Sequence, residues 1–280
     1  MHSYYSDGRF SPTELLGKCK DSGLEIVSLT DHENVGGIDE ALEAGEKLGI
    51  KVIPGIEFAT EFQGQEHHII GYFIDRNSQK LKEFLDKLKE SKAEQIKEII
   101  KNLQAFGFRV SFEEVASLAK GSLDRYHIVL TILPDHEKTL KGKEEHRDFF
   151  KKFLMEKSGG GEGLAFVERK KPDIRLIIDA IHESGGVAFW AHPFWRIKDG
   201  SIIRELAATF KKMKLNGIEV LYPYHSKDQS LLLHELGRDL LLYESAGSDF
   251  HREDTTIRQL ANFQDFGIKI NFPFCLKETR

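Results

Sequence analysis

Short apolar runs alternate with longer amphipathic stretches at both ends of the chain, and this alternation limits the fold more than any other feature. The apolar runs have the length and composition of buried strands. They cover residues 24–30, 51–59, 67–74, 186–191, 217–222 and 241–247. Repeated strand–helix units favour an α/β fold with a parallel sheet, either closed into a barrel or doubly wound. We expect the barrel, with functional groups gathered at the carboxyl ends of its strands.

The predicted helices between these strands have recognisable ends. In the first of them Ser11 can cap the helix, Pro12 can begin it and Glu14 can complete a capping box. This helix should run to about residue 22, and further helices are predicted at about residues 37–48, 172–184, 201–215 and 226–236.

The middle of the chain has a different pattern. A long helix is predicted at about residues 81–105, where apolar residues recur with helical spacing among many charges. More helical segments follow until three glycines at 159–161 break the chain. We therefore predict a barrel domain made of residues 1–76 and 166–280, interrupted by a helical cap subdomain at residues 77–165.

Charge and composition restrict the partners of the protein. The 280 residues carry a formal net charge of −5, which provides no general positive field for a long nucleic acid, although a local pocket could bind a phosphate. No apolar stretch has the length that a membrane span needs. Cys19 and Cys275 are the only cysteines, and the first residues do not resemble a signal peptide. We expect a cytoplasmic protein that acts on small molecules.

Most of the predicted strands end in side chains that bind metal ions. The candidates at these strand ends and in the opening loop are His2, Asp7, Asp31, His32, Glu57, His68, His192, Asp249 and His251. Imidazole together with carboxylate suits Zn, Mn or Fe, and a glutamate can bridge two ions. Each residue alone could be a helix cap or a core residue, so the hypothesis depends on their joint placement. Asp31 is expected to orient a neighbour, and His67 to point away from His68.

These residues stand in motifs that identify a family. In chain order the motifs are His2-Ser3-Tyr4-Tyr5-Ser6-Asp7-Gly8, Thr30-Asp31-His32, Pro54-Gly55-Ile56-Glu57, His68-Ile69-Ile70-Gly71-Tyr72, Ala191-His192-Pro193, Gly217-Ile218-Glu219-Val220 and Gly247-Ser248-Asp249-Phe250-His251. With them the chain resembles the PHP (polymerase and histidinol phosphatase) superfamily over most of its length. The resemblance is greatest to the stand-alone phosphoesterases that act on nucleotides.

The resemblance implies a distorted seven-stranded β/α barrel that binds up to three divalent ions, which would be Mn, Zn or Fe. The implied ligands are His2, Glu57 and Asp249 for the first ion; Glu57, His68 and His192 for the second; and Asp7, His32 and His251 for the third. Glu57 would bridge two of the ions.

One motif departs from the family pattern. The family's first motif is His-x-His after a short strand, whereas the sequence printed here begins Met1-His2. We expect the natural chain to carry the earlier histidine and its strand ahead of Met1. If that histidine is truly lost, the first ion should bind weakly.

The resemblance also implies a phosphate clamp in the helical region. Arg125 and His127 stand where the similar family members carry an Arg-x-His element, and a guanidinium fork suits a phosphate. Arg196 and His225 are weaker candidates. Arg196 could equally be a solvated loop charge, and for His225 a polar residue at a helix start is the favoured interpretation. Aromatic residues after the strand ends could stack on a base or simply pack in the core: Phe194, Trp195, Tyr222 and Tyr224. For Phe194 and Tyr222 we expect core packing.

The hypothesis for function is therefore a metal-dependent phosphoesterase. A metal-bound hydroxide would attack a phosphate monoester of a nucleotide or similar small molecule, with Asp249, Arg125 and His127 as catalytic residues. Exonuclease activity on short oligonucleotides and histidinol phosphatase activity remain alternatives. A non-catalytic module that binds metal or nucleotide is the alternative from another class.

Overall fold

The computed structural model describes residues 1–133, 140–253, 259–261 and 264–273 of the chain. Cys275 and His136 lie outside these residues. The strands of the described part are β1 (Ile26–Leu29), β2 (Lys51–Phe62), β3 (Gln65–Tyr72), β4 (Val187–Ala191), β5 (Gly217–Leu221) and β6 (Tyr243–Ala246). They form one curled sheet in the order β1-β2-β3-β4-β5-β6. The predicted α/β class and distorted barrel are confirmed, and the described residues supply six strands of it.

The sheet is mixed, so the prediction of a parallel sheet was wrong for one strand. β1 pairs with β2, β4 with β5 and β5 with β6 in parallel, but β3 is antiparallel to both of its neighbours. The reason is the short connection between β2 and β3. Gln63 and Gly64 both have positive φ, of 52° and 74°. A two-residue hairpin turn needs positive φ at both positions to match the right-handed twist of the strands that it joins. A hairpin of this kind joins antiparallel strands.

The helices around the sheet begin and end close to the predicted positions. They are α1 (Pro12–Asp21), α2 (Ile38–Leu48), α3 (Gln79–Ala105) and, after the helices α4–α6 of the middle region described below, α7 (Ile174–Glu183), α8 (Gly200–Lys212) and α9 (Lys227–Asp239). The capping box at α1 is present, because the Ser11 side chain accepts from the Glu14 N–H and Glu14 accepts from the Ser11 N–H. None of the helices in the described ranges is long and apolar enough to cross a membrane.

The middle of the chain is helical and has an apolar cluster of its own. After α3 come α4 (Phe112–Leu118), α5 (Arg125–Ile132), α6 (Leu140–Phe149), a π-helical turn (Phe150–Leu154) and a 3₁₀ turn (Lys157–Gly159). Ile99 and Leu103 of α3 pack with Val115, Ile128 and Leu154, all fully buried. The main cluster is separate and packs α7, α8 and α9 against one face of the sheet, around Phe58 and Trp190. A separate core is what an inserted subdomain requires, and its boundaries at residues 77 and 165 stay a prediction.

Candidate metal centre

The side chains of the predicted metal site meet at one end of the sheet. His2 and Asp7 come from the loop before α1, and Asp249 and His251 from the segment after β6. The remaining four side chains lie on the strands or directly after them: His32, Glu57, His68 and His192. Each of the eight predicted ligands contacts at least one other member of the set within 4.0 Å.

Glu57 lies at the centre of this group. The Oε2 atom of its carboxylate is 3.1 Å from Nε2 of His2, and Oε1 is 2.9 Å from Nδ1 of His68 and 3.1 Å from Nε2 of His192. Its side chain is 3% exposed. A carboxylate that faces three imidazoles from inside the protein is arranged to share its two oxygens between cations.

A second part of the cluster surrounds the His2 ring. Nε2 of His2 is 3.1 Å from Oδ1 of Asp249. The His2 ring also lies against the rings of both His32 and His251, with centroids 4.3 Å and 4.2 Å away. Asp7 completes this side, with Oδ1 3.3 Å from Nε2 of His251. A cation bound among these rings would take the place of the imidazole proton, since a histidine that ligates a metal is neutral.

Three groups of these side chains have ligand atoms close enough to hold one ion, all within 4.8 Å of one another. The group His2, Glu57 and Asp249 is the first predicted ligand set. The second predicted set, Glu57, His68 and His192, is matched in part. The corresponding group contains Glu57 and His68, with His32 in place of His192. The predicted third set, Asp7, His32 and His251, is joined by His2.

A buried atom without a partner supports the fit of metal ions to this site. Among the described residues, Nδ1 of His2 is buried and has no hydrogen-bond partner. Leaving such a group unsatisfied costs free energy, about 1–3 kcal/mol, so it calls for a ligand. A divalent cation matches this mixed imidazole and carboxylate donor set.

The charges of the cluster are strongly coupled. Burial alone would lower the pKa of His2, but the hydrogen bonds to Asp249 and Glu57 outweigh it and raise that pKa to about 9. Burial is opposed in the same way at His68, where Glu57 and Glu66 raise the pKa to about 10. Burial would raise the pKa of Glu57, but the charge of His32 and the hydrogen bonds of the neighbouring histidines hold it well below its usual value. Glu57 is therefore an anion over the physiological pH range.

Supporting contacts fix the loops that carry these side chains. Asp31 accepts hydrogen bonds from the N–H of Ser3 at 2.6 Å and from the hydroxyls of Ser3 and Ser6 at 2.7 Å and 2.6 Å. It thereby holds the loop of His2 and Asp7, in agreement with its predicted orienting role. His67 points away from the site and packs against Trp190 and Phe210.

Glu219 is a supporting residue whose role the sequence did not reveal. Its carboxylate accepts the N–H of His192 at 2.7 Å, and His192 has a left-handed backbone with φ of 27°. Burial raises the pKa of Glu219 to about 8. Asp249 also has positive φ, of 50°. Strained backbone of this kind is concentrated at functional sites. In the sequence, the strain at His192 and Asp249 was signalled only by their positions after predicted strands.

A cleft of about 860 Å³ opens over the cluster and reaches the helical region. Arg125 and Arg196 both line it. Arg125 donates through Nη1 to the carbonyl of Leu154 at 3.0 Å, while Arg196 pairs with Glu66 at 2.8 Å and with Glu156. Trp195 also lines the cleft and is 37% exposed, which leaves its ring accessible for stacking.

The structure does not bring His127 or His225 to the lining of this cleft. The side chain of His127 accepts the N–H of Asp124 at 3.1 Å and so forms part of the capping box of α5. His225 is buried against Phe194 and Tyr222, with Nδ1 3.1 Å from the carbonyl of Val220. The substrate-binding roles of these two histidines stay predictions.

Comparison with known proteins gives consistent matches over nearly the whole chain. A family model for the PHP domain matches residues 1–154. A 5'-3' exoribonuclease of Haemophilus influenzae is 32% identical over 250 residues, which cover 89% of this chain and 88% of that protein. A 3',5'-nucleoside bisphosphate phosphatase of Chromobacterium violaceum is 26% identical and covers 95% of this chain and 90% of its own length.

A solved structure supports the same relationship. An amidohydrolase from Chromobacterium violaceum, with bound sulfate and no metal, aligns with a TM-score of 0.78 and 26% sequence identity. The alignment covers 92% of this chain and 88% of that one. The match therefore includes the helical middle of the chain as well as the sheet.

Proposed function

The chain belongs to the PHP domain family of metal-dependent phosphoesterases, since the family model matches more than half of it, and we propose that it hydrolyses phosphate esters of nucleotides. The observation that carries the proposal is the cluster in which the Glu57 carboxylate faces three histidines beneath a cleft lined by Arg125 and Arg196. Imidazole and carboxylate ligands hold cations, and the arginines provide forks for a phosphate.

In this proposal the eight clustered side chains hold up to three divalent ions. They are His2, Asp7, His32, Glu57, His68, His192, Asp249 and His251. Bound divalent ions supply Lewis acidity: they neutralise phosphate charge and lower the pKa of water at the site. Mn, Zn and Fe all suit this set of donors.

The protein's own side chains then orient the ester and handle protons. Arg125, whose guanidinium is fixed by the Leu154 carbonyl and lies beside the rings of Phe150 and Phe166, would donate to the phosphate oxygens. Oδ1 of Asp249 faces His2, and its Oδ2 accepts from the Tyr222 hydroxyl at 3.2 Å. Such a carboxylate can accept the proton of an attacking water or pass one to the leaving oxygen.

A short oligoribonucleotide is the second candidate substrate. The specific observation in its favour is the 32% identity to the Haemophilus influenzae 5'-3' exoribonuclease. The exposed ring of Trp195 at the cleft offers a stacking surface that would accept any base. Both candidates require the same cluster, because both are phosphoric esters.

The test is phosphate or nucleotide release by Mn-loaded protein from nucleoside 5'-monophosphates, 3',5'-bisphosphates and 5'-phosphorylated dinucleotides. Asp249→Ala should reduce the rate at least about 100-fold, because a catalytic acid or base contributes about 10²–10⁴-fold. Asp179→Ala, which changes an exposed carboxylate on α7, is the matched control and should keep the rate. Hydrolysis that survives in Asp249→Ala, or no hydrolysis of any substrate by the unaltered chain, would contradict the proposal. Metal binding without hydrolysis would favour the binding-module alternative.

A further inference from the structure

Glu219 is a buried side chain for which the proposed function has no use. It lies on β5, in the motif Gly217-Ile218-Glu219-Val220. Ile218 and Val220 on either side of it belong to the main apolar cluster, so the Glu219 side chain points to the opposite face of the sheet. Glu219 is only 3% exposed. Because burying a carboxyl group costs free energy unless its oxygens find partners, the two oxygens of Glu219 call for an explanation.

One oxygen of Glu219 fixes the segment that carries His192. The last registered pair between β4 and β5 is Trp190 with Ile218. Beyond it, Oε2 of Glu219 accepts the N–H of His192 at 2.7 Å. The φ of His192 is 27°, which a residue with a side chain adopts only where its surroundings hold it. The Glu219 side chain therefore extends the link between the two strands to the ligand itself.

The other oxygen, Oε1, lies against Gly247 after the end of β6. A Cβ atom at position 247 would be 2.1 Å from Oε1 and 3.3 Å from Cδ of Glu219, and it would meet no other described atom within 4 Å apart from its chain neighbours. The φ of Gly247 is not positive, so the backbone conformation does not demand glycine. The space that Glu219 occupies does. Since Gly247 comes two residues before Asp249, Glu219 also contacts the segment that carries this second ligand.

A β-bulge lies at the point where β5 presents this carboxyl group. Glu219 pairs with Ser245 of β6, whereas Leu221 pairs with Ala246, so β5 contains one extra residue here. Bulges bend a strand and re-aim its side chains, and they are frequent next to active sites. The irregular pairing thus begins at the residue that contacts both ligand-bearing segments.

Glu219 reaches the metal ligands but not an ester bound in the cleft. It lines an inner cavity of about 380 Å³, whose wall also contains His2, Glu57, His192 and Asp249. It is not among the residues that line the cleft. A contribution of Glu219 to the reaction must therefore pass through the metal ligands.

We propose that Glu219 is a positioning residue of the metal centre. Its two oxygens hold the backbone segments of His192 and Asp249 at a fixed separation, so that both side chains face the same group of ions. The inference rests on the proposed function, because it takes these two residues as metal ligands. Loss of a group that orients the ligands of a metal site typically weakens metal binding about 10–100-fold.

The first test removes the hydrogen-bond acceptor and then restores it. Glu219→Ala should raise the dissociation constant of Mn about 10-fold or more, measured by calorimetric titration of the metal-free protein. Glu219→Gln keeps an oxygen that can accept the His192 N–H, and it should bind Mn as tightly as the unaltered chain. Equal affinities of Glu219→Ala and the unaltered chain, or of Glu219→Ala and Glu219→Gln, would overturn the proposal.

Glu244→Ala is the matched control for a general loss of stability. Glu244 is a carboxylate of similar burial on the neighbouring strand β6, but it pairs with His234 of α9 and belongs to none of the groups of ligand atoms. This variant should have a lower Tm and an unchanged affinity for Mn. An equal loss of affinity in Glu244→Ala and Glu219→Ala would show that Glu219 supports only the fold as a whole, and the proposal would be wrong.

A double substitution tests the contact with Gly247. Gly247→Ala should weaken Mn binding about 10-fold, because the new Cβ displaces the Glu219 carboxyl group. In the Glu219→Ala background the same change should have no further effect, since nothing opposes the Cβ there. Residues in contact show such non-additive effects, and independent residues do not. Additive losses would overturn the proposal, and so would normal Mn binding by Gly247→Ala alone, which decides the matter even if Glu219→Ala does not fold.

Failure of the proposed function would look different. If the unaltered chain binds no Mn, or binds it and hydrolyses no ester, the proposed function is wrong. Hydrogen exchange of the His192 N–H in the metal-free protein, followed by NMR, still tests the role of Glu219. This exchange should be at least about 10-fold faster in Glu219→Ala than in Glu219→Gln, because an N–H without its acceptor loses protection. Equal exchange in the two variants would overturn the proposal.

Discussion

Glu57 is the residue on which the site depends most, because its carboxylate is the only group in the described cluster that lies within 3.1 Å of three of the predicted histidine ligands. Replacing it by glutamine keeps the size of the side chain but removes the negative charge and one acceptor. We expect Glu57→Gln to lower the number of Mn ions bound per chain by at least about one, since loss of a ligand weakens a metal site. Metal content after dialysis, measured by mass spectrometry, is the readout.

Glu61→Gln is the matched control, because Glu61 lies on the same strand β2 and is absent from all three groups. It should bind as many ions as the unaltered chain. Equal metal content in Glu57→Gln and Glu61→Gln would show that the cluster is not a metal centre.

His67 should make stability depend on pH. Burial, followed by the neighbouring charge of His68, lowers the pKa of His67 to about 4 from its ordinary value of 6.5. Between these two values the unfolded chain binds a proton that the folded chain does not, so this contribution to stability is complete above pH 6.5 and is lost as the pH falls toward 4. From pH 7 to pH 5 the loss from this residue should be about 2 kcal/mol.

His67→Phe should remove that part of the pH dependence, because phenylalanine can pack against Trp190 and Phe210 without titrating. The measurement is the free energy of unfolding in denaturant at pH 7 and pH 5. If the substituted chain loses as much stability as the original between these pH values, His67 does not titrate as its burial indicates.

Sequence reasoning at the residue scale was most effective where several motifs pointed to one place. All eight predicted ligands come together, and the alternation of side chains along β3 correctly separates His67 from His68. It was less informative for His127, because an Asp-x-x-His capping box resembles a substrate motif as much as a helix start. The burial of His225 depends on two contacts that the sequence does not reveal. Phe194 is distant in the sequence, and Tyr222 reaches His225 through a turn of the chain.

At the scale of elements, local signals predicted the helices well and the strand directions less well. Capping residues placed α1, and the Gly49 C-cap with φ of 68° ends α2. The direction of β3 depended on the length of the turn before it, and the sequence alone suggested that β2 ended near residue 59 rather than at Phe62. Because β2 is three residues longer than predicted, only a two-residue turn remains between β2 and β3. A turn this short makes β3 antiparallel to β2 rather than parallel.

Glu33 joins the loop after β1 to the helical region and should be important for stability. Its side chain is 3% exposed and pairs with Arg169 at 2.8 Å and with Lys92 of α3 at 3.1 Å. Removing one member of a buried ion cluster leaves the others uncompensated. We expect Glu33→Gln to lower the free energy of unfolding by about 3 kcal/mol, whereas Glu94→Gln, at an exposed position of α3, should change it little.

The same cluster predicts acid sensitivity. Burial would raise the pKa of Glu33, but the charges of Lys92 and Arg169 outweigh it and lower the pKa below its ordinary value of 4.5. Its stabilising contribution is therefore complete above about pH 4.5 and is lost as the pH falls through the lowered pKa. Denaturant unfolding at pH 7 and pH 4 checks both points. Equal stability of Glu33→Gln and the original chain at pH 7 would contradict the role given to this residue.

For the molecule as a whole, the cluster concentrates carboxylates and imidazoles that only the folded chain brings together, from the first loop to the segment after β6. A cation bound there binds the native state and not the unfolded chain, so it must stabilise the fold. At an Mn concentration about 100 times its dissociation constant, the gain is about 2.7 kcal/mol, which corresponds to a rise in Tm of about 5 °C or more. Thermal unfolding in Mn and in EDTA measures this difference.

The ligands also predict which variants lose the effect. In Glu57→Gln the difference in Tm between Mn and EDTA should shrink to a small part of its original size, whereas Asp179→Ala should keep all of it. A Tm that does not respond to Mn in the unaltered chain, or one that responds equally in Glu57→Gln, would mean that ions do not couple these distant segments. The cluster would then be held by its hydrogen bonds alone.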